Sequence, residues 1–173
     1  MVTVCTGSHG KFIEFQEFFG QKIEWIKQDL PEPDSDAITI IRFKASLFHE
    51  VLVDDTSLEI EGESIGTLIK WKMEELDKLV GRAARFICYL GICRSNEVLI
   101  YKGEVGGRIC QKDGEGFGFN PYFVPTGEDH SLAIQKPNQK NARFLAVQKF
   151  LKNELYLNAP LLKNWDGEFQ GVA

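Results

Sequence analysis

Two adjacent carboxylates close an apolar run in Val51-Leu52-Val53-Asp54-Asp55-Thr56, and in this 173-residue chain they are the first place to look for chemistry. Acids at the end of a buried strand lie where α/β proteins place their sites. Such a pair can hold a divalent cation, and one member can orient or deprotonate a water molecule. The same two residues would also serve as a solvated turn with an Asp cap. Glu32, in the proline-flanked loop Leu30-Pro31-Glu32-Pro33, is a third oxygen donor of the right kind. Thr6-Gly7-Ser8-His9-Gly10-Lys11 falls between a strand pattern and a helix pattern. Free N–H groups at a helix start attract phosphate, glycine lets the chain approach closely, and lysine adds charge. It lacks the GxxxxGKS/T spacing of a nucleotide-binding P-loop, and a strand, glycine turn and helix is also an ordinary connection. A third cluster, Gly114-Glu115-Gly116-Phe117-Gly118-Phe119-Asn120-Pro121, is followed by Lys136 and Arg143. Aromatic rings on a glycine-rich loop suit stacking on a base, and Arg suits a base carbonyl or phosphate. Phe117 and Phe119 would serve equally well as core packing.

The elements that must position these residues alternate between strand and helix. Val2 to Cys5 reads as a strand, and Phe12, Phe15, Phe18 and Phe19 recur at helical spacing behind a Ser8 N-cap. A short strand over Glu24 to Ile26 leads into the polar loop from Gln28 to Asp36, and a helix is expected from about Ala37 to His49. Val51 to Val53 is a compact buried strand. Gly66 to Val80 reads as a helix carrying Leu68, Ile69, Trp71, Leu76 and Leu79, with Trp71 suited to the core or to an interface. Ala84 to Cys93, Glu97 to Tyr101 and Glu104 to Cys110 read as strands, and Asn138 to Leu151 as the last helix. Tyr156 to Ala173 has apolar and turn residues without a firm period. The mixture is α/β, with no repeat, linker or low-complexity segment, so residues 1–173 are expected to form a single domain.

Composition narrows the partners. A 43% hydrophobic chain of this length can bury one core, and thirteen Phe exclude a disordered chain. The formal charge is -5 with acids and bases mixed, which argues against a nucleic-acid partner. No stretch approaches the length of a membrane span. Cys5, Cys88, Cys93 and Cys110 are scattered through apolar stretches without metal spacing, as expected of reduced thiols in a cytoplasmic protein.

In this order, the clusters resemble the inosine/xanthosine triphosphate pyrophosphatase family. Thr6-Gly7-Ser8-x-x-Lys11-x-x-Glu14 follows its TGNxxKxxE, Gln28-Asp29-Leu30-Pro31-Glu32 its IDLPE, and Val51 to Leu58 its VLVEDTxL. Ile69-Lys70-Trp71 matches its IKW, Gly103 to Ile109 its GxxxGxI, and Gly116 to Pro121 its GFGWDP. The likeness runs from about Val2 to Phe150, so 156–173 is an extension beyond it. It implies a curved mixed β-sheet in two lobes flanked by helices, with a nucleotide cleft between the lobes. It further implies a homodimer and a metal-dependent hydrolysis, with Mg²⁺ or Mn²⁺, of a nucleoside triphosphate such as ITP or XTP to monophosphate and pyrophosphate. On that likeness Asp55, Asp54 and Lys11 are catalytic, and Glu32 and Asp55 hold the metal. Thr6, Gly7, Ser8, Lys11 and Lys70 bind phosphate, while Phe117, Gly118, Phe119, Asn120, Lys136 and Arg143 bind the base.

The departures lie at the base end. Asn120 stands where the family has Asp, Ala142 replaces the histidine before Arg143, and Ser131-Leu132-Ala133-Ile134 replaces TFAE. The lysine before the closing motif is Lys136 or Lys140, which spacing leaves open. An amide offers donors where a carboxylate has none. A changed base preference (a modified purine or a pyrimidine) is therefore the alternative within the same chemistry. A nucleotide-binding protein without catalysis is the other, and retention of Lys11, Glu32, Asp55 and Lys70 argues against it.

Overall fold

The computed structural model describes residues 1–171. β1 (Thr3–Cys5) leads through Thr6-Gly7-Ser8 into α1 (His9–Phe19), whose Ser8 cap accepts the Lys11 N–H through its hydroxyl and whose C-terminal Gly20 takes φ of 67°. β2 (Glu24–Ile26) and α2 (Ala37–Ser46) follow, α2 starting at an Asp36 cap and stopping short of the expected His49. β3 (Leu52–Ile60) does not end at the acids as expected but carries Asp54 and Asp55 inside its ladder with β4 (Ala83–Arg94), to which it is antiparallel. β4 turns back into β5 (Glu97–Ile109), one continuous strand where two were expected. β6 (Phe123–Pro125), α3 (Ala142–Leu151) and β7 (Leu157–Pro160) complete the order. Among the described residues the seven strands form one mixed sheet, β2-β1-β3-β4-β5-β6, with β7 on β5 beside β6. None of their helices is long and apolar enough to cross a membrane.

The sheet lies between two apolar layers, and strand alternation assigns residues to them. Leu52, Leu58, Phe86, Cys88 and Leu90 join Phe15, Phe18, Ala142 and Val147 of α1 and α3 on one face. Val51, Val53, Ile87 and Tyr89 join Ile41 and Ala45 of α2 on the other. β4 is thus buried on both faces, which its unbroken apolar run Phe86-Ile87-Cys88-Tyr89-Leu90 requires. Gly103 brings α3 onto β5, since a Cβ there would strike the Ala142 carbonyl.

The expected helix over Gly66 to Val80 is absent. Its place is taken by two 3₁₀ segments, Ile69–Trp71 and Met73–Leu79. Met73, Leu76 and Leu79 recur every three residues, which aligns on a three-residue turn but drifts around an α-helix. Ile69, Leu76 and Leu79 are buried while Trp71 stays 48% exposed, so Trp71 is not a core residue. The last helix likewise begins later than Asn138: one 3₁₀ turn precedes it, and Asn141 caps it by accepting the Arg143 N–H.

Candidate functional site

β3 outruns β1. The two strands pair only at Val4 and Leu52, after which β1 leaves the sheet and the edge of β3 at Asp54 to Thr56 faces open space. That gap is a cavity of 310 Å³ at the carboxyl end of β1, bounded by the N-terminus of α1, the Glu32 loop, the Ile69–Trp71 turn and the Phe117–Asn120 loop. Of the residues expected in a site, Thr6, Gly7, Ser8, Lys11, Glu32, Asp54, Asp55, Lys70, Phe117, Gly118, Phe119, Asn120 and Arg143 all line it. A broader groove of 810 Å³, bordered by Asp36, Glu59, Glu61 and Arg85, gathers none of them.

Adjacent on a strand, Asp54 and Asp55 point to opposite faces, so they do not act as a matched pair of ligands. Asp54 faces α1 and α3, with Lys11 Nζ at 3.0 Å and Arg143 Nη2 at 3.6 Å. Burial opposes its ionisation, but Lys11 and Arg143, with Lys44, hold its carboxyl well below the usual range. Asp55 faces α2 and the Glu32 loop. Burial pushes its carboxyl well above the usual range; Lys44 opposes the rise, and the facing Glu32 adds to it. Glu32 is held low, because the ammonium of Lys44, with those of Lys11 and Lys70 behind it, overcomes its own burial. One proton between two carboxyls accounts for both directions. Among the described residues Asp55 Oδ2 is buried without any hydrogen-bond partner.

Two further groups hold this arrangement together. Lys44, on α2, is buried among apolar neighbours, reaches the Asp54 carbonyl, and stands 3.5 Å from Glu32 Oε2. Burial alone would lower its ammonium, but Glu32, Asp54 and Asp55 raise it, so it remains charged. Glu14 lies under Arg143: Nη1 meets Glu14 Oε1 at 2.6 Å, Nη2 meets Thr56 Oγ1 at 2.9 Å, and Asn141 Nδ2 donates to Glu14 Oε2 at 3.1 Å. Lys44 has no role assigned from sequence, and Glu14 only a place in a motif. A lysine flanked by Phe43 and Ala45 in an amphipathic helix was the available signal for the first.

At the other end, Phe119 is 6% exposed and packs edge to face on Phe86 at 5.0 Å, so it builds the wall. Phe117 is 36% exposed and lies across Gly10, with Lys136 Nζ 4.5 Å from its ring centre. Lys136 also pairs with Glu14, whereas Lys140 donates to the Thr126 carbonyl at the surface. The structure thus brings Lys136, and not Lys140, to this cluster. Asn120 is buried against the cavity, and among the described residues its side chain makes no hydrogen bond. Its amide is available to a guest.

The geometry suits a hard divalent cation. Asp55 and Glu32 offer facing oxygens, and a cation would replace the shared proton and occupy the orphaned Oδ2. Among the described residues no group of three or more His, Cys, Asp or Glu surrounds such a point. Two carboxylates leave the remaining positions to water and phosphate oxygens, which is how Mg²⁺ is usually held.

Known proteins place the chain in context. A dITP/XTP pyrophosphatase of Methanopyrus kandleri is 30% identical over 177 positions, covering 86% of this chain and 93% of its own. The inosine triphosphate pyrophosphatase 2 of Trypanosoma cruzi is 32% identical, covering 81% and 83%. The Staphylococcus aureus Ham1 protein superposes with a TM-score of 0.65 at 23% identity, over 88% of this chain and 99% of that one, which shows a shared fold. The Ham1 family profile matches residues 2–153, a stretch that takes in the acidic strand, the Glu32 loop, Lys11, Lys70 and Arg143, and the chain belongs to that family.

Proposed function

We propose that residues 1–173 act as one nucleoside-triphosphate pyrophosphatase domain, hydrolysing non-standard purine triphosphates of the ITP/XTP kind to a nucleoside monophosphate and pyrophosphate. The observation that carries this is the buried, partnerless Asp55 Oδ2 facing Glu32, in a cavity that also holds four cationic side chains: Lys11, Lys44, Lys70 and Arg143. Relatives named as dITP/XTP or inosine triphosphate pyrophosphatases support the substrate class.

Glu32 and Asp55 would hold Mg²⁺ or Mn²⁺, which when bound neutralises phosphate charge and acidifies the attacking water. The chain's own groups do the rest. The N–H groups of the Gly7-Ser8 turn and of the start of α1 bind phosphate oxygens. Lys70, 55% exposed and only 3.9 Å from Glu32, is loosely held and swings to the phosphates. Lys11 stays on Asp54 and turns part of its charge toward the same oxygens. The Asp55 carboxylate, through the oxygen the cation leaves free, takes the proton of the water that attacks phosphorus, and Lys44 keeps the Glu32 carboxylate ionised beside it. The pyrophosphate leaves between Lys11 and Lys70.

Phe117 stacks on the base and Asn120 reads its edge. Asn120 in place of Asp, and Ala142 with no polar side chain, favour a weaker preference for hypoxanthine and xanthine. A pocket that pairs buried polar groups with a base discriminates by about 10⁴-fold. We expect discrimination of ITP and XTP over GTP and ATP to fall to within about 100-fold, the worth of one or two lost hydrogen bonds. Pyrophosphate release from ITP, dITP, XTP, dUTP and the standard triphosphates, with Mg²⁺ and with EDTA, is the measurement. No release from any of them would end the proposal, and sharp ITP/XTP selectivity would end its base-pocket part. A homodimer in the cytoplasm belongs to the same proposal on the family resemblance. Light scattering should then report about twice the 19.6 kDa chain mass, and a monomer at all concentrations would remove it.

A further inference from the structure

The family match ends at residue 153, yet the chain beyond it returns to the site. β7 first joins β5 through four pairs, from Glu97–Pro160 to Ile100–Leu157. The Arg42 Nε–H then donates to the Pro160 carbonyl at 3.0 Å, and the Leu162 N–H to Ser46 Oγ at 2.8 Å, which lays the tail along α2. Phe169 meets the buried ring of Phe43 edge to face at 5.6 Å, next to Lys44. At that point the tail bridges Pro33. The Asp34 N–H donates to the Glu168 carbonyl at 2.9 Å, and the Gln170 N–H to the Glu32 carbonyl at 2.8 Å. Gly171, at φ of 73°, then lies on the indole of Trp71, where a side chain would collide with the ring.

These contacts matter because the rest of the Glu32 loop is held by side chains alone: buried Leu30, the Cys5 thiol on the Gln28 carbonyl, and Lys44 and Lys70 on Glu32. Pro31 and Pro33 have no N–H to give. Among the described residues, the two bonds to the tail are the only backbone-to-backbone hydrogen bonds joining residues 28–34 to another segment. Irregular chain with few backbone hydrogen bonds opens more readily than a strand or helix. A metal-ligating carboxylate must instead be held to a fraction of an ångström. The tail also touches both walls of the cavity, the Glu32 loop on one side and the Lys70-Trp71 turn on the other.

We propose that residues 165–171 form a clasp that positions Glu32, pinning its loop to α2 through Phe169 and to the Lys70-Trp71 turn through Gly171. It rests on the metal reading given above. Phe169 and Gln170 are positioning residues: they act through Glu32 and touch no substrate.

Three proteins test it: the full chain, the chain stopped after Asn164, and full-length Gln170→Pro, which deletes the N–H that the Glu32 carbonyl accepts. Hydrogen exchange is followed without metal or nucleotide, and Mn²⁺ binding is followed by electron paramagnetic resonance of the free ion, without nucleotide. In the truncated chain the Asp34 amide should exchange at least about tenfold faster while β4 amides keep their protection. Mn²⁺ affinity should fall roughly tenfold in both variants, as when an outer-shell partner of a metal ligand is lost. Unchanged Asp34 exchange and unchanged Mn²⁺ affinity would overturn the clasp. Where truncation also strips β4 of protection, Gln170→Pro decides by the same two readouts. A full chain that binds no Mn²⁺ overturns the metal reading and the clasp's purpose together, whereas loss confined to the variants supports both.

Discussion

Asp55→Asn is expected to lower kcat for pyrophosphate release by about 10³-fold while leaving the metal-free protein as stable as before, or more so. Asp55 is 2% exposed, and its Oδ2 has no hydrogen-bond partner among the described residues. An amide there can neither receive the water's proton nor give a cation an anionic oxygen. Burial, with Glu32 facing it, raises the Asp55 carboxyl in the folded state. An acid raised on folding destabilises as it ionises. Its stability contribution is therefore lost as pH rises from the ordinary Asp range of about 3.9 through the higher folded value. Asn does not titrate and escapes that loss. Metal-free melting at pH 7 to 8 should thus give Asp55→Asn a Tm at or above that of the wild type. Added Mg²⁺ should stabilise the wild type and not the variant. A variant that keeps kcat within tenfold, or that unfolds at lower temperature without metal, would remove Asp55 from the centre of the site.

The part of this site visible in the sequence was the part written locally. The apolar run before Asp54-Asp55 marked a buried strand at the site, though that strand continues through the acids to Ile60, and a Ser-capped helix start after a glycine marked an anion-binding turn. Asp54 and Asp55 show the limit of that reading. Adjacency suggests a chelating pair, but the two-residue period of a strand sends them to opposite layers, one to cations and one to Glu32. Lys44 was hidden for another reason. A lysine near the end of a helix usually belongs to solvent, and its partners Glu32 and Asp54 lie 12 and 10 residues away in sequence on other elements. Arg143 and Glu14 are 129 residues apart, so neither explains the other until α1 and α3 are packed.

Elements followed the same division. α1 carries its period and its Ser8 cap within itself and was legible, as was α2 apart from its end. β3 was legible only to Val53, because polar Asp54-Asp55-Thr56 hides the rest of a strand that runs to Ile60. The stretch from Ile69 to Leu79 contains enough apolar residues for a helix, but their three-residue recurrence, with Trp71 outside it, selects 3₁₀ turns. The tail has no period to read because its structure comes from what it lies on: β5, α2 and Pro33 in turn. Trp71 makes the same point, since its half-exposed ring is covered by Gly171, one hundred residues downstream.

Removing Arg143 should destabilise the protein strongly. Arg143→Met is expected to cost about 3–5 kcal/mol, the range for breaking a buried pair from one side. The size comes from what is left behind rather than from the bonds removed. Arg143 is 2% exposed, and with it gone Glu14 keeps Lys136 and Asn141, but among the described residues the Asp54 carboxylate keeps only the Lys11 cation within 4 Å. Loss of the salt bridge alone, in a setting open to water, would cost no more than about 1 kcal/mol, so urea unfolding at pH 7 separates the two cases. Acid unfolding supplies an independent check. Asp54 is depressed in the folded state despite its burial, through Lys11 and Arg143. A depressed acid contributes stability above its unfolded value of about 3.9 and loses it as pH falls through the lower folded value. Without Arg143 the folded value rises, so the variant should unfold at a higher pH than the wild type. Arg143→Lys keeps the charge but not the planar fork that meets Glu14 and Thr56 together, and should recover only part of the loss. A cost below about 1 kcal/mol with an unmoved acid midpoint would mean that the Glu14–Arg143–Asp54 row is solvated in solution, and the buried floor assigned to the cavity would have to be abandoned.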